Sequence, residues 1–337
     1  MRTVVGALQH YDWGDTTALP RLLQLPSDGQ PWAEMWFGTH HMAPSHLDAA
    51  NGPTLESLTG EMTMLVKLLA CAQPLSLQTH PTLEQAQQGF ANEEAAGIDR
   101  AAPTRMYRDA SDKPEMLIAL EPFEALCGFA PIDASVALLH AMGWSNEARA
   151  LDENGIDVYM VWAFEQNSTL LFDHAPEWLQ RIAALYPHDK GLRLAPLLNH
   201  VVLQPGEAIS LPAGNLHAYL RGTGLEIMKS SDNVVRAGFT KKHVDVTEFL
   251  RTVQPNELRN PVLHPTPVDG ITTYASPSDA FSVIAVNSSV LNELPSTTRH
   301  RLVFGHFGPA PTMQLVPAGQ VVSLPANAGT FWVCTQN

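Results

Sequence analysis

Only three of the 337 residues are cysteine, Cys71, Cys127 and Cys334, an odd number set among apolar neighbours. That excludes a disulfide framework and reads as reduced core thiols, so a cytoplasmic location is expected. No apolar run is long enough to span a bilayer. The opening MRTVVGALQHYDWGD has neither an apolar h-region nor a cleavage site, so no secretory leader is expected. Basic residues are outnumbered, 20 Lys+Arg against 34 Asp+Glu, for a formal net charge of −14. A field of that sign disfavours nucleic acid and anionic membranes as partners. Solenoid repeats and low-complexity segments are absent, and a hydrophobic content of 45% excludes a disordered chain. The length suits two or three packed units.

Proline is plentiful, with 26 residues, as strand ends and turns require. Residues 54–72 carry apolar side chains at helical spacing, which predicts a helix, and a second short helix is expected at residues 83–89. Residues 132–198 read as helical in ASVALLHAMG, NEARALDE and PEWLQRIAALY. From His200 the chain returns to short β segments. The tail alternates in FSVIAVN, TMQLVPAGQVVSLPA and TFWVC, which predicts a second jelly-roll unit. The segment PGEAISLPAGNLHAY looks like a cupin strand pair. The expected fold is therefore mainly β: two cupin-type jelly-roll β-barrels with an α-helical insertion. Residues 1–130 together with 199–255 form the first unit, 131–198 the insertion and 256–337 the C-terminal jelly roll.

Residues 205–246 place His217, Glu226, Arg236 and Lys242 on strands broken by the turns PAGN and RGTG. Alternating strands send every second side chain to one face, so a barrel built from them lines its interior with a chosen set. That set holds a possible metal ligand, a carboxylate and cations, and it suits a small, anionic, hydroxyl-rich ligand. A lone His217 would be a polar residue on a half-buried strand. Upstream, however, Gln78 and His80 stand one residue apart and share a strand face, and DKPEM supplies Lys113 and Glu115. Gln78, His80, Glu115 and His217 offer four N and O donors, which fit zinc and almost as well Fe(II), Co(II) or Mn(II).

Six segments in order resemble those of the type I, zinc-dependent phosphomannose isomerases: YDWG, AEMWFGTHHMAPS, LVKLL, PLSLQTHP, DKPEMLIALEPFEALCGF and HAYLRGTGLEIMKSSDNVVRAGFTKKHVDV. The resemblance implies one zinc per chain on Gln78, His80, Glu115 and His217, with other divalent metals possible. It implies catalysis in the first unit, with Arg236 as the active-site arginine and Glu226, Tyr219 and Lys113 beside it. Ser76, Lys67 and Lys242 are the implied phosphate contacts, and Trp13 and Glu34 border the pocket. The implied reaction interconverts mannose 6-phosphate and fructose 6-phosphate through a cis-enediol. Such a reaction needs an acid/base group near C1–C2, an electrophile for the developing charge and an anchor for the phosphate dianion. Lys113 and Glu226 are the proton-handling candidates. The expected partner is a small sugar phosphate, and a monomer is expected.

One stretch departs from the family at two adjacent positions. The chain reads Ser111-Asp112-Lys113-Pro114-Glu115 where the family has Asn-His-Lys-Pro-Glu. Asp112 is a further acid/base candidate, but its ordinary pKa is near 4 against about 6.5 for a histidine. The departure keeps open a sensor that binds sugar phosphate without turnover, or an isomerase for another aldose phosphate. A cupin oxygenase is disfavoured, because Gln78 and the basic pocket suit a sugar phosphate better. Trp13, Trp32 and Trp36 read mainly as packing, His10, His40 and His41 as surface or pocket-edge residues, and Asp109 as a turn residue.

Overall fold

The computed structural model describes residues 1–337, with 31% of them in strands and 23% in helices, so the chain is mainly β. Two sheets hold nearly all the strands. One has eleven and is organised by the thirteen-residue strand His217–Lys229. The C-terminal half of that strand pairs with Met64–Cys71 on one side and Glu115–Ala119 on the other. Its N-terminal half pairs with Leu77–Thr79 and Phe123–Phe129. The second sheet has seven strands, five drawn from residues 271–336 and two from the start of the chain. Arg2–Val5 lies in it between Thr312–Val316 and His46–Leu47, so this sheet crosses the division at residue 256 suggested by the sequence.

Met64–Cys71 is buried along its whole length, and strand alternation divides its side chains. Met64, Val66, Leu68 and Ala70 join an apolar core shared by the two sheets, with Ile118, Ile227, Phe281 and Leu315. Leu69 and Cys71 face the other way, with Leu117 and Tyr219, and Lys67 shares their side of the strand. This overturns the helix expected over residues 54–72, where only Glu56–Thr59 is helical. A strand covered on both faces reads as an unbroken apolar run, which periodicity does not separate from a buried helix.

The helices Ile132–Ala141, Ser145–Glu165 and Glu177–Leu185, with 3₁₀ turns at Lys190–Arg193 and Ala195–Leu197, fall where helix was expected. They share one apolar core with Ala218 and Leu220, so they pack on the strand that carries His217. No helix is long and apolar enough to cross a membrane.

The helix Leu83–Ala95 begins with a capping box between Thr82 and Gln85 and runs past Gly89. Gly89 is there for a neighbour: a Cβ would stand 2.5 Å from the ring of Tyr107. One turn on, the Glu93 carboxylate accepts the amides of Met106 and Tyr107 at 3.0 and 2.8 Å and pairs with Arg105 at 2.9 Å. Helix and loop are thereby locked together just before the strand Glu115–Ala119.

Replacing Gly89 with alanine sets two effects against each other. Helix propensity gains about 1 kcal/mol, while forcing a methyl into the packed Tyr107 ring costs about 1–3 kcal/mol. The expected outcome for Gly89→Ala is a melting temperature lower by a few degrees in a thermal scan. A melting temperature equal to or above the parent's would contradict the packing described here.

Candidate active site

The eleven-stranded sheet opens on a cavity of about 460 Å³. Its lining includes Trp13, Glu34, Lys67, Ser76, Gln78, Lys113, Glu115, Tyr219, Glu226, Arg236 and Lys242, eleven of the fourteen site residues expected from sequence. His80 and His217, 0% and 1% exposed, lie buried against Glu115. Asp112 is the exception. Its carboxylate pairs with Lys229 at 2.5 Å and does not line the cavity, so the structure does not bring it to the site.

Strand pairing explains the assembly. His217 stands opposite Gln78 on one neighbouring strand, and Gln78 stands opposite Arg236 on the next. These three side chains therefore form a row across adjacent strands, each pair within about 5 Å at Cβ. Further along the long strand, Glu226 stands opposite Lys67. Ser76 donates to the Gln78 Oε1 at 2.9 Å and so orients the amide rather than facing the cavity alone.

The two histidines are held in one tautomer. Nδ1 of His80 meets the carbonyl of Asn233 at 2.9 Å, and Nδ1 of His217 meets that of Asn215 at 3.1 Å. A carbonyl only accepts, so each Nδ1 carries the hydrogen and each Nε2 presents a lone pair. Burial lowers both pKa values, that of His217 to about 4 with the help of its neighbour His80, and keeps the rings neutral near pH 7. Both Nε2 atoms are buried without a hydrogen-bond partner. They face Glu115 Oε2 at 3.2 and 3.6 Å. Three electron-pair donors thus converge with no proton between them, an arrangement that a cation satisfies. The spacing agrees: two ligands about 2.1 Å from a zinc ion at the tetrahedral angle lie about 3.4 Å apart. All three ligand atoms fall within 4.8 Å of one another, and Gln78 lines the same cavity.

The remaining buried charges are mostly paired. Lys113 Nζ lies 3.0 Å from Glu115 Oε1. Lys67 Nζ lies 3.1 Å from Glu226 and 3.5 Å from Glu34, and 5.1 Å from the Trp36 ring centre. Burial disfavours its ammonium form, but those carboxylates overcome the penalty and raise its pKa. Lys67, expected from sequence at the phosphate, lines the cavity and is paired there with Glu226. Tyr219 donates its hydroxyl to Glu226 at 2.9 Å. Burial raises the Glu226 pKa, opposed by Lys67 and assisted by Glu115 and Glu34.

Five positions carry weight that the sequence reading did not give them. His40 is buried, not at the surface, and its Nε2 meets Asp232 at 3.2 Å. Asp232 lines the cavity, and His40, against the effect of burial, holds its pKa down to about 2. Asp109 is more than a turn residue, since its carboxylate accepts from Ser231 Oγ at 2.9 Å and the Asp232 amide at 2.9 Å. Arg108 and Asn233 complete the set, joined by an amide-to-side-chain hydrogen bond of 2.7 Å. The signal for Asp232 and Asn233 was the polar run SSDN between two apolar strands.

The family profile "Phosphomannose isomerase type I, catalytic domain" matches residues 1–132. The mannose-6-phosphate isomerase of Salmonella typhimurium is 35% identical over 292 residues, covering 75% of each chain. The human enzyme of the same name is 29% identical over 327 residues, covering 77% of this chain and 75% of its own. A zinc-bound crystal structure of mannose 6-phosphate isomerase superposes with a TM-score of 0.82 at 26% identity, covering 100% of this chain and 99% of the other.

The donor geometry predicts that the purified protein binds one divalent ion per chain, measurable by atomic emission. Chelation should lower the melting temperature, because a ligand at 100 times its dissociation constant stabilises the native state by about 2.7 kcal/mol. His217→Ala should abolish both the metal content and its thermal effect. A His217→Ala protein with full metal content would remove His217 from the ligand set.

Proposed function

The chain belongs to the type I phosphomannose isomerase family, and from that membership we propose that it interconverts mannose 6-phosphate and fructose 6-phosphate. The observation that carries the reading is the pair of buried, unpartnered Nε2 atoms on His80 and His217 facing Glu115. Glu115, which they face, lines a cavity rich in cations. Gln78, His80, Glu115 and His217 would hold one zinc ion. When bound, the ion supplies Lewis-acid polarisation for the oxygens that gain charge as the aldose becomes a ketose.

The chain's own groups divide the rest of the work. The proton passes between C1 and C2 through a cis-enediol, which calls for a carboxylate of raised pKa near the reacting carbons. Glu226 has that property, and Lys67 and the Tyr219 hydroxyl hold it in place. Asp112 does not, being engaged with Lys229 outside the cavity lining. The family's histidine is therefore replaced at a position that leaves this cavity's charges unchanged, and the sensor reading loses the feature that favoured it. Arg236, opposite Gln78, stands where its charge meets the enediolate. Lys113, beside Glu115, adds a second positive group at the same end. Trp13 and Glu34 border the sugar.

The finer architecture follows the same reading. It has two cupin-type jelly-roll units: residues 1–130 with 199–255 carry catalysis, 131–198 the helical insertion and 256–337 the second jelly roll. The protein acts as a cytoplasmic monomer on a small sugar phosphate, with no role for nucleic acid or membrane.

A coupled assay of fructose 6-phosphate formed from mannose 6-phosphate, with a chelated sample alongside, tests the reading. Turnover that vanishes on chelation and returns with zinc is expected. Its absence in the zinc-loaded protein would overturn the assignment. Glu226→Gln should lower kcat by about 10²–10⁴-fold and Arg236→Ala by about 10²–10³-fold. The loss for Asp112→Asn should be at least ten times smaller than for Glu226→Gln; an equal loss would return Asp112 to the chemistry.

A further inference from the structure

Four cations line the cavity without a carboxylate in salt-bridge contact: Arg108, Arg236, Lys241 and Lys242. Lys67 and Lys113, by contrast, are tied to Glu226, Glu34 and Glu115 at 3.0 to 3.5 Å. Three of them, Arg108, Arg236 and Lys242, oppose one another. Burial and then Arg108 lower the pKa of Arg236, while burial, Arg236 and Arg108 lower that of Lys242. In a chain of net charge −14, mutually repelling cations held in one cavity need an anion to offset them. Arg236 is placed by its strand beside Gln78, at the metal end. Arg108 comes from the loop that Glu93 pins, and Lys242 from the segment after the strand Val235–Gly238.

Arg108 is also held at a set place relative to the metal ligands. Its amide donates to Asn233 Oδ1 at 2.7 Å, and Asn233 Nδ2 donates to the carbonyls of Asp109 and Ser111 at 2.8 Å each. The carbonyl of this same buried Asn233 accepts His80 Nδ1 at 2.9 Å. One side chain and its backbone therefore fix both a metal ligand and the Arg108 loop. Of the three positions that the resemblance offered for phosphate, two are also engaged elsewhere, Ser76 with Gln78 and Lys67 with two carboxylates, and Lys242 is left.

We propose that Arg108, with Lys242, binds the phosphate of the substrate, and that Asn233 sets the span between that phosphate and the metal end. The inference rests on the isomerase reading and deepens it. The site selects by the position of the phosphate along the sugar, because a dianion at any other carbon would leave either the metal end or Arg108 unfilled. A guanidinium gives a phosphate two parallel, charge-assisted hydrogen bonds, and the half-buried Arg108 has no other partner for them.

The test uses the zinc-loaded full chain and two variants, Arg108→Gln and Arg108→Lys. Inorganic phosphate is the equilibrium probe, read by calorimetry and as a competitive inhibitor, beside KM and kcat for mannose 6-phosphate. Arg108→Gln should weaken inorganic phosphate by at least about tenfold and raise KM in parallel, with kcat falling by less than KM rises. Zinc content and melting temperature should match the parent's, and Arg108→Lys should recover most of the loss. Unchanged phosphate affinity in Arg108→Gln, or a loss confined to kcat, would overturn the proposal. If the parent binds phosphate through Arg108 but turns over no sugar phosphate, the isomerase reading fails and the phosphate site stands.

Discussion

Pairing of buried charge governs this molecule's interior. Lys67 and Lys113 are 6% and 7% exposed, and the carboxylates they face, Glu34, Glu115 and Glu226, are as deeply buried. Each such ion loses several kcal/mol of hydration, and removing one partner of a buried pair costs about 3–5 kcal/mol. Lys67 therefore cannot leave Glu226 to follow a ligand without leaving that carboxylate alone. The consequence reaches outward: charges consumed in pairs shape the site, and only those left over are free to recognise what enters. Strand alternation delivers Lys67, Glu115 and Glu226 to one face while the opposite face seals the core shared by the two sheets.

Much of the site was legible because its members lie close in sequence or at strand spacing. Gln78 and His80 share a strand face, Lys113 and Glu115 flank one proline, and His217, Tyr219 and Glu226 lie on one strand. What stayed hidden depends on contacts across long separations. Asn233 joins residues 108 and 80 from 125 and 153 positions away, and no local pattern marks an asparagine for that role. His40 looked like a pocket-edge residue until Asp232, far along the chain, turned out to be its partner. The helix expected over residues 54–72 failed for a different reason. The run MLVKLLAC is apolar on both faces because a sheet core and the site interior both cover it.

The Asp112 departure shows why a motif difference needs its surroundings. A carboxylate in place of histidine looked like altered chemistry at the reacting carbons. In the fold it is the partner of Lys229, at the far end of the long strand, and the charge change is absorbed there. Glu226, by contrast, lines the cavity, and burial raises its pKa.

The strand Arg2–Val5 pairs with Thr312–Val316, and this has a consequence for biosynthesis. Residues 2–5 wait for a partner made about 310 residues later. At about 5–20 residues per second, that delay is roughly 15–60 s. Throughout it the nascent chain carries an unpaired β edge, the kind of surface that chaperones shield and aggregates recruit. The seven-stranded sheet thus closes only after residues 312–316 have emerged, whereas every predicted metal ligand lies upstream of residue 218.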